Sequence, residues 1–247
     1  MNLGGQVALV TGGAKRVGRA IAVELARAGC DVCLHYHTSQ AEAQGAAREL
    51  LAWGRRVLLV CGDLAESSSW QRIILETIVE FQRLDILVNN ASLFLTDKED
   101  RIESFDVGVW EKMLRVNLLA PTGLIHYAQP HLQASPNGCI VNLGDVSATR
   151  PWKDHLAYGV SKAGLVAVTR SLAKALAPKV RVNAVAPGIA VFPEAYTGEM
   201  RERLTRKVPL QREGSPEEVA RLVRYLAESG QYVTGQVIAI DGGRSVT

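Results

Sequence analysis

Tyr158-Gly159-Val160-Ser161-Lys162 sets a phenol and an ammonium four residues apart, neighbours on one face wherever such a segment is helical. A phenol with a pKa near 10 exchanges protons poorly at neutral pH, and bringing it to about 7 takes about 4 kcal/mol. One cation about 4 Å away, at an effective dielectric near 20, supplies roughly that much. Lys162 is therefore expected to tune Tyr158 for proton transfer. Alone, this spacing also describes an ordinary surface pair.

A second chemical pattern lies near the start. Thr11-Gly12-Gly13-Ala14-Lys15-Arg16-Val17-Gly18 follows an apolar run and opens a helical one. Glycines there let the backbone turn tightly and approach a pyrophosphate held on a helix N-terminus. Versions that bind NAD usually place a carboxylate after the second strand for the ribose 2′-hydroxyl. Here that strand runs into His35-Tyr36-His37-Thr38-Ser39, with no carboxylate before Glu42. A 2′-phosphate would meet hydroxyls and imidazoles, with Lys15 or Arg16 nearby, so NADP(H) is the expected cofactor. His35 points away from His37 on a strand and can equally be a plain strand-end residue. Asp63, followed by Leu64, is placed to receive the adenine edge or to cap the helix beginning near Ser67.

The elements that must position these residues alternate along the whole chain. Strands are expected over Gln6–Thr11, Asp31–Tyr36, Arg56–Cys61, Asp85–Asn89, Cys139–Leu143, Arg181–Ala186 and Gln236–Asp241. Helices are expected to start near Arg16, Gln40, Ser67, Val107, Leu156 and Pro216. The last carries an N-cap, a proline and a capping-box glutamate in Ser215-Pro216-Glu217-Glu218. This alternation predicts an α/β Rossmann fold, a doubly wound parallel seven-stranded sheet covered by helices on both faces. No linker or repeat divides residues 1–247, which read as a single domain. The least regular stretch, residues 188–210, is expected to be a mobile lid.

Composition excludes other classes. The chain has 247 residues, 47% hydrophobic and 21% charged, with 28 basic against 25 acidic side chains and a net charge of +3. No Lys/Arg cluster suggests a nucleic-acid face. No apolar run is long enough to cross a membrane, and Met1–Gln6 carries no signal-peptide features. Cys30, Cys33, Cys61 and Cys139 lie in or beside apolar runs and read as buried free thiols of a reducing, cytoplasmic compartment. Cys30 and Cys33 are three apart on a strand and face opposite sides, so no metal site is expected there.

Taken together, Thr11–Gly18, Asp63, Asn89-Asn90-Ala91, Asn117, Tyr158/Lys162, Pro187-Gly188 and Asp241-Gly242-Gly243 resemble the short-chain dehydrogenase/reductase family over essentially the whole chain. The resemblance implies that Asn90, Ala91, Pro187 and Gly188 line the cofactor cleft together with Gly12, Val17 and Gly18. It implies that Asn117 ties the catalytic lysine to a water chain, and that the protein is a homotetramer whose contacts include Gly242–Thr247.

Three departures narrow the substrate. Asp145 stands where ketone-reducing relatives carry a serine, whose hydroxyl donates to a developing oxyanion. An ionised carboxylate repels that oxyanion and suits a nitrogen heterocycle instead, unless nearby Ser147 takes over the serine's part. Arg16 replaces a glycine; its guanidinium can pair with phosphate and stack on a flat ring. Ser92 replaces another glycine, and Phe94 can offer an aromatic face to the cleft or belong to the core. Together these resemble the pteridine reductase branch. That resemblance implies a pterin between Phe94 and the nicotinamide, proton delivery by Asp145 and Tyr158, and contacts from Ser92 and Arg16 to cofactor phosphate and pterin. The implied reaction is NADPH-dependent reduction of a dihydropterin, with oxidised pterin or folate as further substrates. The rival readings are a 3-oxoacyl-carrier-protein or other carbonyl reductase, and a non-catalytic NADP-sensing regulator.

Overall fold

A computed structural model describes residues 3–95 and 100–246. Met1, Asn2 and Thr247, the last of which ends the expected contact segment Gly242–Thr247, lie outside the described residues. Seven parallel strands form one sheet in the order β3-β2-β1-β4-β5-β6-β7. They are β1 (Val7–Val10), β2 (Asp31–Tyr36), β3 (Val57–Cys61), β4 (Ile86–Asn89), β5 (Gly138–Leu143), β6 (Val180–Pro187) and β7 (Val237–Ile240). All seven expected strands form, within a residue or two at each end.

Among the described residues eight α-helices accompany them: α1 (Arg16–Arg27), α2 (Gln40–Ala52), α3 (Ser67–Phe81), α4 (Val107–Leu114), α5 (Ala120–Ala134), α6 (Leu156–Ala175), α7 (Gly198–Thr205) and α8 (Pro216–Glu228). The capping box expected at α8 is formed, Ser215 Oγ accepting from Glu218 N at 3.2 Å and Glu218 Oε2 accepting from Ser215 N at 2.9 Å. α4 and α5 are joined by a π turn over Arg115–Leu119. Residues 188–210 are more regular than their sequence suggests, since they contain α7, started by Thr197 Oγ1 accepting from Met200 N.

Strands buried on both faces read as continuous apolar runs rather than alternating ones. In β1, Ala8 and Val10 pack with α1 and α8 on one face, while Val7 and Leu9 pack with α3 and α5 on the other. Cys30 and Cys33 fall into these opposite layers, as their spacing predicts. Cys61 departs from the expectation: it is exposed at the end of β3, the other three cysteines being buried. That strand lies at the sheet edge, where burial is incomplete.

β1 lies between β2 and β4, so chain direction across the sheet reverses there and a crevice opens at the strands' C-terminal ends. The turns that follow β1, β4, β5 and β6 all open there. They carry the glycine loop, Asn90–Phe94, Asp145 and Gly188.

Candidate active site

The cofactor end is built to receive an anion. α1 starts at Lys15 with no side-chain cap and no acidic residue in its first turn, leaving its first amides for an outside acceptor. Gly12 is left-handed at φ +62. A Cβ on Gly18 would drive into the Gly12 carbonyl and Asn90 Nδ2, so only glycine lets this loop close. Asn90 Nδ2 donates to the Thr11 and Gly12 carbonyls at 2.8 and 3.2 Å, and Thr11 Oγ1 accepts from the Asn90 and Ala91 amides at 2.9 and 3.0 Å. This clamp fits a pyrophosphate with no side chain in the way.

His35 belongs to the same clamp, a role the sequence did not reveal. Its Nδ1 accepts from Gly12 N at 3.3 Å, which leaves Nε2–H to donate to Gly62 O at 3.0 Å. Its carbonyl accepts from Gly13 N at 2.9 Å. Burial pushes the imidazole down to about 4, so it is neutral at physiological pH. His37 is exposed beside Asp63, Nε2 to Oδ2 at 3.8 Å, and Thr38 and Ser39 lead into α2 with no side-chain cap. Asp63 does not cap α3, whose N-cap is Glu66; its Oδ1 instead accepts from Ala65 N at 2.9 Å. Leu64 is buried beneath this turn, and Val17 packs onto the core behind the loop. Pro187 ends β6, and Gly188 N donates to Ile240 O at 3.0 Å. A Cβ on Gly188 would meet Asp241 Cα at 2.8 Å.

Arg16 adopts φ +54, and its guanidinium donates to the Val191 and Phe192 carbonyls at 3.4 and 3.1 Å. It ties the glycine loop to the segment that follows β6. Lys15 lies 3.9 Å from Glu42.

At the chemical end, α6 brings Tyr158 and Lys162 onto one face, both almost fully buried. The Tyr158 hydroxyl donates to Asp145 Oδ2 at 3.1 Å, and Asp145 Oδ1 accepts from Ser147 N at 2.7 Å. The expected lowering of the phenol is overturned. Burial first, then the Asp145 carboxylate, raise Tyr158 well above its ordinary value, although a hydrogen bond with Ser92 acts the other way. Lys162 Nζ donates to Leu143 O at 2.8 Å and stands 5.7 Å from the phenol ring centroid, too far and too engaged to outweigh the carboxylate. Burial brings Lys162 itself down to about 8, with Asp145 opposing. Ser147 does not take Asp145's place: its hydroxyl is buried and has no partner among the described residues.

The π turn aims Asn117 inward, as such turns often do at functional sites. Asn117 Oδ1 accepts from Leu93 N at 2.7 Å and Ser92 Oγ at 3.2 Å; its Nδ2 donates to Leu93 O at 2.9 Å and Ser161 Oγ at 3.1 Å. Asn117 therefore fixes the Ser92–Leu93 segment and, through it, Phe94. No direct bond to Lys162 is made. Phe94 sits 4.8 Å from the Tyr158 and His155 rings. Trp152, which sequence reasoning missed, stacks on Tyr158 at 6.1 Å and 15°. It comes from a stretch with neither helical nor strand periodicity, so nothing marked it. Among the described residues no cluster of metal-ligating side chains occurs and no helix is long and apolar enough to cross a membrane.

A dinucleotide seat at the sheet's switch point, beside a buried tyrosine and lysine on one helix, defines a Rossmann-type oxidoreductase. The family model described as enoyl-(acyl carrier protein) reductase matches residues 12–245. A 3-oxoacyl-[acyl-carrier-protein] reductase of Staphylococcus aureus is 32% identical over 96% of each chain. A granaticin polyketide synthase putative ketoacyl reductase of Streptomyces violaceoruber is 34% identical over 96% of this chain and 95% of its own. Among solved structures, an alternative dihydrofolate reductase, FolM, of Brucella canis complexed with NADP is 34% identical with a TM-score of 0.92, covering 100% of this chain and 96% of that one. A blue fluorescent protein from a metagenomic library, in complex with NADPH, is 32% identical with a TM-score of 0.92 over 99% of both chains. The chain belongs to the short-chain dehydrogenase/reductase family, and the expected NADP(H) cofactor agrees with the two complexes.

Proposed function

We propose that the chain is an NADPH-dependent reductase of a pterin C=N bond, taking a dihydropterin to the tetrahydro form, with oxidised pterin and dihydrofolate as further substrates. The observation that carries this reading is the 3.1 Å hydrogen bond from the Tyr158 hydroxyl to Asp145 Oδ2. A ketone reductase must steady a growing negative charge on oxygen, and a carboxylate at that place opposes it. A ring nitrogen instead takes up a proton, and the N–H groups of a pterin can donate to Asp145.

NADPH, when bound, supplies the hydride. The chain supplies the proton and the frame. Tyr158 is held protonated by its surroundings, which suits it to give a proton to nitrogen rather than to act as a phenolate base. Were it to give that proton with Asp145 ionised, two anions about 3 Å apart would repel by roughly 5 kcal/mol at an effective dielectric near 20. The buried Lys162 ammonium offsets part of this, and proton resupply through the Asp145–Tyr158 pair removes the rest. Phe94, fixed through Asn117 and Leu93, offers a flat face to the ring. A homotetramer and a closing lid over residues 188–210 belong to the same reading.

The second reading, a 3-oxoacyl-carrier-protein reductase, is favoured by the names of the sequence relatives. One panel separates the two: NADPH oxidation with dihydrobiopterin, dihydromonapterin, dihydrofolate and an acetoacetyl thioester, repeated with NADH. Turnover of pterins is expected. Turnover of the thioester with none on any pterin overturns the substrate assignment.

A further inference from the structure

Lys15, Arg16 and Arg19 crowd the start of α1, and Arg16 behaves unlike its neighbours. Lys15 lies 3.9 Å from Glu42, and Arg19 pairs with Glu49 at 2.9 Å. Arg16 turns instead to the Val191 and Phe192 carbonyls, at 3.4 and 3.1 Å. Its backbone is left-handed at φ +54, a strained conformation for a residue with a Cβ. Such strain persists where the surroundings fix it, and it gathers at ligand clamps. The surroundings here are firmly held. The Gly12 and Gly13 amides donate to His35, and Gly18 packs on Gly12 and Asn90.

The far end of the contact is more loosely built. Gly188 N donates to Ile240 O at 3.0 Å, and Ile189 O accepts from Gly214 N at 2.8 Å. Beyond them no helix or strand forms before α7, and no backbone amide among the described residues donates to the Val191 or Phe192 carbonyl. Within residues 191–197 only Phe192 is buried. Its ring centroid lies 5.9 Å from that of Tyr196 and 5.7 Å from the Arg201 guanidinium carbon. Arg201 Nε also donates to the Tyr196 carbonyl at 3.1 Å. Arg16 from the glycine loop and Arg201 from α7 therefore grip residues 191–196 from opposite ends.

Both bonds from Arg16 leave from Nη2. A guanidinium presents N–H groups on each of its nitrogens, so Nε–H and Nη1–H remain to meet a cofactor phosphate without release of the carbonyls. We propose that Arg16 is a positioning residue that couples the cofactor seat to residues 191–196, so that phosphate at the start of α1 holds this wall of the crevice in place. The coupling rests on the proposed seating of the cofactor phosphates, and it is independent of which substrate is reduced. Phosphate on the first amides of α1 also fixes the left-handed backbone from which the side chain departs.

The test is amide hydrogen exchange of residues 191–196, read by mass spectrometry on the full chain with the seat empty or saturated by 2′-phospho-ADP-ribose. This probe carries the cofactor phosphates without the nicotinamide, so no nicotinamide contact can order the segment directly. Coupling between two sites is commonly about 5–150-fold, and saturation is expected to slow exchange about fivefold or more in the unaltered protein. Arg16→Gly suits the left-handed backbone and removes the bridge, so the slowing is expected to vanish. Arg16→Lys, a point charge in place of a fork, is expected to retain part of it. An arginine with a merely structural part would alter exchange equally with the seat empty and filled. Equal slowing in the unaltered protein and in Arg16→Gly overturns the proposal, as does no slowing in the unaltered protein. Faster exchange on binding also overturns it, because phosphate would then be drawing the guanidinium off the carbonyls. Exchange of residues 12–18, followed in the same spectra, reports the seat itself. If the probe gives those residues no protection, the seating at α1 fails by itself, and Arg16 is judged with NADP instead. Protection of residues 191–196 that is lost in Arg16→Gly then supports the coupling; absent or surviving protection overturns it.

Discussion

Asp145 and Tyr158 face each other across a 3.1 Å hydrogen bond in which the phenol is the donor. A carboxylate that accepts from a buried phenol stabilises its protonated form. This pairing inverts what the Tyr158-to-Lys162 spacing alone suggests. The lysine is the nearest cation along the helix, yet the group that reaches the hydroxyl is acidic.

Replacing Asp145 by serine removes the charge and the hydrogen-bond acceptor that favour the protonated phenol, while the burial of Tyr158 stays. The phenol of Tyr158 is then expected to ionise at a lower pH than in the unaltered protein. Spectrophotometric titration of phenolate, with Tyr158→Phe identifying the signal among the six tyrosines, reads this directly. Pterin reduction is expected to fall by about 10² or more, the usual size of a lost general acid–base contribution. Unchanged pterin turnover in Asp145→Ser would remove Asp145 from the proton path.

Lys162 is expected to set the alkaline limit. Burial brings it down to about 8, whereas Tyr158 lies well above 10, so the first group to lose a proton as pH rises is the lysine. If its ammonium is needed, kcat/KM for NADPH, which reports the free enzyme, falls about tenfold per pH unit above roughly 8. Asp145→Asn withdraws the charge that supports the ammonium and is expected to move this limb to lower pH. A profile flat to pH 10 contradicts the assignment to Lys162.

The strands and most helix starts were legible because a parallel sheet buries both faces and writes apolar runs into the sequence. The glycine loop was legible for a similar reason, since Gly12 and Gly18 stand where a Cβ has no room. Side-chain direction was not. Nothing local tells that Arg16 reaches the Val191 carbonyl 175 residues away, or that Arg244 returns to Trp152. α7 escaped notice because Met200 and Leu204 are its only apolar side chains, too few to write a helical period, and none of its residues is buried. His35 looked like one of two similar histidines, and only the register of β2 against the glycine loop separates it from His37.

That register gives His35 a thermodynamic signature. Its folded value of about 4 lies below the ordinary 6.5, so between these pH values the unfolded chain binds a proton that the folded chain does not. The contribution is therefore complete above pH 6.5 and is lost as pH falls toward 4, by about 3 kcal/mol at most. His35→Gln lacks this titration. Urea unfolding of both proteins at pH 7, 5.5 and 4 is expected to show the destabilisation of the variant shrinking as the solution becomes more acidic. A constant difference across that range contradicts a neutral, bridging imidazole.

Gly18→Ala tests the anion seat without touching any reacting group. The added methyl meets the Gly12 carbonyl and Asn90 Nδ2, and neither can yield cheaply. Gly12 is held by His35, while Asn90 is tied to Thr11 through both its side chain and its amide. The strain is expected to cost about 1–3 kcal/mol of stability and to push the first turn of α1 away from its present line. On the proposed seating of the cofactor phosphates at the first amides of α1, NADPH affinity is expected to weaken more than stability does, by about tenfold or more for each phosphate hydrogen bond misplaced. Fluorescence titration with NADPH, on protein whose far-ultraviolet circular dichroism shows it folded, measures that loss. Affinity equal to that of the unaltered protein would mean that the cofactor phosphates do not rest on this turn.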